Sequence, residues 1–431
     1  MSTPPGLRFL MLTTFYPPYS FGGDAVGIQR LSRGLVRRGH HVTLIHDVDA
    51  YATLRGSAPM PTAPDHDLDE GVEVIRLRSK IGPLSLLLTQ QLGRPVINGR
   101  RIREQIHHGA YDVVNLHNSS LIGGPGLFRY GGAAVTVYLA HEHWLVCPTH
   151  VLWRHGRELC TGRQCLRCAL AYRRPPQLWR ATGLLERELR HLDAIVAMSE
   201  FSRDKHREFG FPRAMEVLPY FLPDPASPEP PAVTASAPSP HHRPYFFFAG
   251  RLERIKGLDE IIPDFRTYAD ADLLIAGDGT HAEPLRRLAA GAANIRFLGR
   301  LDPTDLARYY QHAIALVVPS VCYETFGIVL IEAFRQGTPV IARRLGPFPE
   351  IVNASGGGEL FTDGAEFVAA LRRLQCEPGR RAAQARAGYR AYVERWSESA
   401  VIPQYLDIVR RAAERRGNDR VRRALTLAEV A

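Results

Sequence analysis

Apolar and polar positions along this chain fall into two successive series of the same kind. Residues 7–13 are an almost wholly apolar run, the pattern of a strand buried on both faces. A loop with Pro17, Pro18, Gly22 and Gly23 follows, and then Ile28, Leu31 and Leu35 recur at helical spacing up to about Arg38. Gly39 closes that helix, and residues 41–46 resume as a strand. Strand, helix and strand in this order make a βαβ unit, which requires a parallel sheet. Further strands are predicted at 72–77, 113–116, 134–139, 194–197 and 216–219. The second series places strands at 245–249, 272–276, 295–298, 315–318 and 339–342, with helical stretches between them. A helical, basic tail then runs from Arg380 to Gly417, broken near Trp396.

Between the two series, residues 223–243 are dominated by Pro, Ser and Ala and cannot build a core, so they read as a linker. The expected fold is α/β: two facing Rossmann-like doubly wound domains, with a ligand cleft at the carboxyl ends of their strands. The expected boundaries are 1–222, the linker 223–243, 244–395, and a tail 396–431 that crosses back toward the first domain. A length of 431 residues suits about two or three domains. The 45% hydrophobic and 23% charged content is that of a soluble globular protein. No run approaches the roughly 20 apolar residues that span a bilayer. The first residues lead into a strand with no secretion-signal layout, so a cytoplasmic protein is expected. The formal charge of +10 favours anionic partners. Nucleic acid is not among them, because zinc-finger spacing, ribonucleoprotein motifs and a basic zipper are all missing from the sequence.

The most informative chemistry is a pair of carboxylates, Glu324 and Glu332, eight residues apart. The first lies in a loop just after an apolar strand. Phe326, Gly327 and Ile328 then open a helix, and Glu332 sits inside its early turns. A helix start offers unpartnered N–H groups and a partial positive charge, which hold a phosphate well. Carboxylates beside it accept hydrogen bonds from hydroxyls flanking that phosphate. A diphosphate with hydroxylated rings at both ends is a nucleotide sugar. Arg251 and Lys256 follow the first strand of the same series and supply a planar fork of donors and a compact charge.

Taken together, Gly250-Arg251, Lys256-Gly257, Ala276-Gly277-Asp278-Gly279, Phe297-Leu298-Gly299, Pro319-Ser320, Glu324 to Glu332 and Gly337 to Ala342 resemble the donor lobe of family 4 retaining glycosyltransferases. That resemblance implies the GT-B fold. It implies that Arg251 and Lys256 bind the donor diphosphate, that Glu324 lies near the donor sugar, and that Glu332 contacts the ribose. Backbone at Phe326, Gly327 and Ile328 would contact phosphate. In the first domain, Gly22 and Gly23 match the family's glycine loop, with a plain strand-to-helix turn as the alternative. Asp24 would face the acceptor or cap a helix. His141 resembles the family's active-site histidine near the anomeric carbon, and His117 and Asn118 would line the acceptor side.

The activity implied is retaining, metal-independent transfer from a UDP-, GDP- or ADP-sugar to a glycan, lipid-linked glycan or small molecule. No cofactor is implied for catalysis, because the cations and the helix start replace a metal. Asp270-Ala-Asp272 has the letters of a metal-binding Asp-x-Asp motif but introduces a strand and is read as a loop. A catalytically inactive nucleotide-sugar-binding subunit is the alternative function. An epimerase on the same architecture is disfavoured by the spaced glutamates.

Two features lie outside this scheme. Cys147, Cys160, Cys165 and Cys168 crowd into 22 residues and end in Cys-x2-Cys, a candidate structural zinc set against the alternatives of reduced thiols and an iron–sulfur cluster. The apolar stretch 81–89 and the basic Arg100, Arg101 and Arg103 are a candidate peripheral membrane contact at the inner face, or else a helix packed into the domain.

Overall fold

The computed structural model describes residues 6–56, 59–231 and 238–428. The chain divides into two compact units, Met1–Tyr220 with Val401–Ala431, and Phe221–Ala400.

In the first unit the strands are β1 (Arg8–Leu12), β2 (His41–Asp47), β3 (His66–Asp69), β4 (Val72–Leu77), β5 (Val113–Leu116), β6 (Val135–Ala140), β7 (Trp153–Arg154), β8 (Glu158–Leu159), β9 (Ala194–Ala197) and β10 (Glu216–Val217). Among the described residues, eight of them form one sheet in the order β10-β9-β6-β5-β1-β2-β4-β3. All neighbours in it are parallel except β3, which runs antiparallel to β4. β1 reads as an apolar run because Phe9, Leu10, Met11 and Leu12 are all fully buried. The helix Gly23–Arg37 buries Ile28, Leu31 and Leu35, the face expected from their spacing. β7 and β8 form a separate two-stranded hairpin. The end of the chain belongs to this unit: Tyr405 is fully buried and its hydroxyl donates to Asn115 Oδ1 at 2.8 Å.

In the second unit the strands are β11 (Tyr245–Ala249), β12 (Asp272–Ala276), β13 (Ile295–Gly299), β14 (Leu316–Val318), β15 (Val340–Arg343) and β16 (Gly358–Phe361). They form a parallel sheet in the order β13-β12-β11-β14-β15-β16. One face packs on a core in which Phe246, Ile262, Phe265, Ile275 and Phe367 are buried. The described part of the Pro-rich segment is not a loose tether. Leu222 bridges to Ser397, the Tyr392 hydroxyl donates to the Pro223 carbonyl at 2.5 Å, and the Tyr389 hydroxyl donates to the Ser227 carbonyl at 2.6 Å. Residues 232–237 of the expected linker lie outside the described residues. Asp272 is fully buried at the start of β12 and is held by His241 at 2.7 Å and Arg243 at 3.1 Å. The Asp270-Ala-Asp272 letters therefore mark a structural ion pair at the start of a strand.

Candidate active site

Each sheet reverses its growth once. In the first unit β2, β4 and β3 lie on one side of β1, and β5, β6, β9 and β10 on the other. In the second, β12 and β13 lie on one side of β11, and β14, β15 and β16 on the other. Ligands of doubly wound sheets bind beyond the carboxyl ends of strands at this reversal. Every residue singled out from the sequence can be placed against these two points.

In the second unit Arg251 follows β11 and Glu324 lies in the loop after β14, so both sit at the reversal. Lys256 Nζ stands 2.6 Å from Glu324 Oε1, and the Ser320 hydroxyl donates to the same oxygen at 3.0 Å. Two glycines allow this approach. Gly257 has φ +74°, and a Cβ there would stand 2.0 Å from the Pro319 carbonyl oxygen. The Val321 N–H donates to the Ile255 carbonyl at 2.9 Å, so the lysine loop is latched to the glutamate loop through backbone. Gly277 has φ +133°, and a Cβ there would stand 1.8 Å from the Gly250 oxygen, which lets the turns after β11 and β12 nest.

Electrostatically the pair is stable as an ion pair. Burial disfavours the charged form of both groups, yet Glu324 raises the Lys256 pKa above its ordinary value. Against the same burial penalty, Lys256, Ser320 and Arg251 hold the Glu324 carboxyl below its ordinary value. Arg251 is itself exposed. Gly327, at φ +133°, precedes the helix Ile328–Arg335 and has no side chain to cap it, so the helix start is left open to an anion. Phe326 is buried with its ring against Trp396, which leaves backbone as its surface toward a ligand. Glu332 accepts a 3.4 Å bond from the buried Tyr310 hydroxyl.

In the first unit, His117 and Asn118 follow β5, at the reversal, and His141 follows β6, the next strand out. His117 Nδ1 lies 2.8 Å from His141 Nε2, and His141 Nδ1 lies 2.5 Å from the Tyr220 hydroxyl. Both nitrogens of His141 are thus engaged within the protein. Burial drives its pKa down to about 4, with Glu142 opposing weakly, and burial plus His141 drives His117 well below the usual imidazole range. Tyr220, whose phenol burial pushes well up, was not singled out from the sequence. Its only signal there is its place just beyond the strand around Glu216.

Asp24 lies in the first turn of the helix Gly23–Arg37 and accepts a hydrogen bond from the Asn118 side-chain amide. Gly22 is the residue before that helix, with extended backbone at φ −146°, so nothing in its conformation requires glycine. A Cβ there would meet only the Asp24 side chain, at 2.9 Å. Gly22 and Gly23 therefore form a strand-to-helix turn with little side-chain bulk, and Asp24 is tied to the end of β5.

The four clustered cysteines lie close enough together to influence one another, and each thiol also has its own local surroundings. Among the described residues, no group of three or more His, Cys, Asp or Glu is arranged to hold a metal ion. Cys147 Sγ lies 3.3 Å from Thr149 Oγ1, Cys160 Sγ donates to the Gly162 carbonyl at 3.3 Å, and Cys168 Sγ accepts from the His155 N–H at 3.4 Å. All four are free thiols, brought near one another by the β7–β8 hairpin and the helix Cys165–Ala171.

Comparison with known proteins agrees with this architecture. Residues 21–222 match the model described as Glycosyltransferase Family 4, and residues 232–391 match that of Glycosyl transferases group 1. A glycogen synthase of Mycobacterium tuberculosis (strain ATCC 25618 / H37Rv) is 27% identical over 402 residues, covering 88% of this chain and 88% of that protein. Among solved structures, sucrose-phosphate synthase from Thermosynechococcus elongatus is similar with a TM-score of 0.67 at 19% identity, covering 94% of this chain and 98% of the other. Anabaena HepE in complex with UDP is similar with a TM-score of 0.62 at 16% identity, covering 93% of this chain and 99% of the other. With two Rossmann-like units and adjoining matches over most of its length, the chain belongs to the family 4, group 1 glycosyltransferases of the GT-B fold.

Proposed function

We propose that the protein transfers a sugar from a nucleotide-diphosphate donor, with retention of anomeric configuration and without a catalytic metal. The observation that supports this most is the 2.6 Å Lys256–Glu324 pair beside an uncapped helix start, at the reversal of the second sheet. In this reading Lys256, Arg251 and the N–H groups at Gly327 and Ile328 neutralise charge on the departing diphosphate, the role a metal plays elsewhere. Glu324 accepts hydrogen bonds from donor-sugar hydroxyls, and Glu332 from the ribose. The acceptor hydroxyl attacks from the face the nucleoside diphosphate leaves. His141 contributes on the sugar side, and a contact from either ring nitrogen requires release of His117 or Tyr220.

The UDP bound by HepE supports a UDP-sugar as the first donor to try, ahead of GDP- and ADP-sugars. For the acceptor we propose a glycan or lipid-linked glycan, in keeping with the glycogen synthase relative and with relatives named as phosphatidylinositol mannosyltransferases.

The test is a panel of nucleotide sugars screened by thermal shift, since a ligand of the native state raises its apparent stability. Turnover in chelator with the best donor follows, with the product anomer read by NMR. Donor binding without turnover on every acceptor, and without donor hydrolysis, would favour the inactive-subunit alternative. An inverted product, or strict dependence on added divalent metal, would overturn the mechanism.

A further inference from the structure

Among the described residues every markedly exposed Leu, Ile, Val or Met lies in the first unit, and most fall between Ile81 and Leu178. The helix Pro83–Leu92 shows the pattern most clearly. It buries Ser85 and Thr89 together with Leu86, while Leu84 is 50% exposed, Leu87 43% and Leu92 51%. A helix packed only to serve a soluble domain buries its leucines and exposes its hydroxyls. Here much of the apolar side is turned outward.

The patch extends beyond this helix. Gln90 donates to the Pro175 carbonyl at 3.3 Å, and a Cβ on Gly93 would stand 2.7 Å from the Trp179 ring, so the helix end lies against the turn Leu178–Ala181. Leu178 in that turn is 61% exposed. Val96 and Ile97, just beyond the helix, are exposed as well.

Charge in these segments is of one sign. Residues 74–103 and 159–185 contain no Asp or Glu, and they hold Arg94, Arg103, Arg173 and Arg174 as exposed cations, while Arg100 is paired with Glu104 just beyond the first segment. Exposed aliphatic side chains among cations suit a bilayer with anionic headgroups, where leucines enter the acyl boundary and guanidinium groups remain at the phosphates. Protein interfaces are instead rich in aromatic residues, and Trp144, Trp153 and Trp179 in this region are buried. No helix among the described residues is long and apolar enough to cross a membrane, so the contact is one of lying on the surface.

We propose that the face formed by the helix Pro83–Leu92, the segment after it and Leu178 docks onto an anionic lipid surface. The lipid-linked class of acceptor named above would be met there, and that part of the inference rests on the proposed function. The docking itself does not.

The experiment is co-sedimentation of the full chain with vesicles of phosphatidylcholine alone and of phosphatidylcholine mixed with phosphatidylglycerol. Binding is expected to the mixed vesicles, to fall with added salt, and to be at least tenfold weaker for neutral vesicles. The double variant Leu84→Glu, Leu87→Glu should lose at least tenfold in partition while keeping its circular dichroism and its thermal shift with UDP. Equal binding of wild type and double variant, or no wild-type binding to anionic vesicles, overturns the proposal. So does a concentration-dependent dimer abolished by the double variant, because a second copy would then cover the face. Donor binding is read on the same samples, so failure of docking and failure of the proposed chemistry are separate results.

Discussion

Replacing Lys256 by Met keeps the length of the side chain and removes its charge, and the structure sets what should follow. Nζ lies 2.6 Å from Glu324 Oε1, and each side chain is about a fifth exposed. At an effective dielectric of roughly 20, two unit charges at that separation attract by about 6 kcal/mol before desolvation is counted. Desolvation of both ends offsets most of this, and water can reach the abandoned carboxylate. We therefore expect a net stability loss of about 1–3 kcal/mol, below the range for fully buried pairs. Donor binding responds differently. A charge-assisted phosphate contact contributes about 1.5–3 kcal/mol, so Lys256→Met should weaken binding of a nucleoside diphosphate by roughly 10- to 150-fold.

Glu324→Gln is the informative partner. It frees Lys256 from its internal carboxylate, so affinity for the nucleoside diphosphate should hold or tighten while turnover falls by about 100-fold or more. Calorimetric titration of both variants with UDP, beside steady-state rates, reads the two effects separately. Wild-type affinity in Lys256→Met, or equally severe losses of affinity in both variants, would refute the reasoning.

Buried neutral histidines predict acid sensitivity. His46 is held down to about pH 3 and His141 and His206 to about pH 4, each chiefly by burial, whereas the unfolded chain takes up these protons near 6.5. The unfolded state thus binds more protons as pH drops below 6.5, and stability is lost from there downward by about 2 kcal/mol per histidine at pH 5. Denaturant midpoints unchanged between pH 7 and pH 5 would contradict this. Gly277→Ala places a Cβ 1.8 Å from the Gly250 oxygen at φ +133°, so we expect a loss of about 3 kcal/mol or more, measured by chemical unfolding; a neutral outcome would show that the turn gives way freely. For the cysteines, the separate contacts of Cys147, Cys160 and Cys168 predict much less than one zinc per chain by elemental analysis without chelator, and a tightly held stoichiometric zinc would show that the four thiols regroup.

The central strands were legible in the sequence because parallel strands covered on both faces leave near-continuous apolar runs, as β1 and β12 do. Strands outside that environment were not. β3 is largely exposed and polar, His66-Asp-Leu-Asp, and pairs only as an antiparallel edge, so it carries no periodic signal. β7 and β8 have two residues each, too few for any pattern, and β16 begins at a glycine. The Pro-rich segment was legible only in part, because composition reports what cannot form a core. It does not report that Pro223 and Ser227 can accept hydrogen bonds from Tyr392 and Tyr389, residues more than 160 positions away. The pairing of Lys256 with Glu324 was foreshadowed by their shared lobe, but the latch that sets it depends on Gly257 meeting Pro319, a contact no local pattern contains. Cysteine spacing foretold that the four thiols come near one another, but not the local partners each one takes.

The most direct test of the whole account is a crystal structure of the protein soaked with UDP. The account predicts diphosphate density within hydrogen-bonding distance of Lys256 Nζ and of the N–H groups at Gly327 and Ile328, with Glu332 on the ribose. Well-ordered UDP bound elsewhere, with Lys256 and Glu324 still paired and untouched, would contradict it.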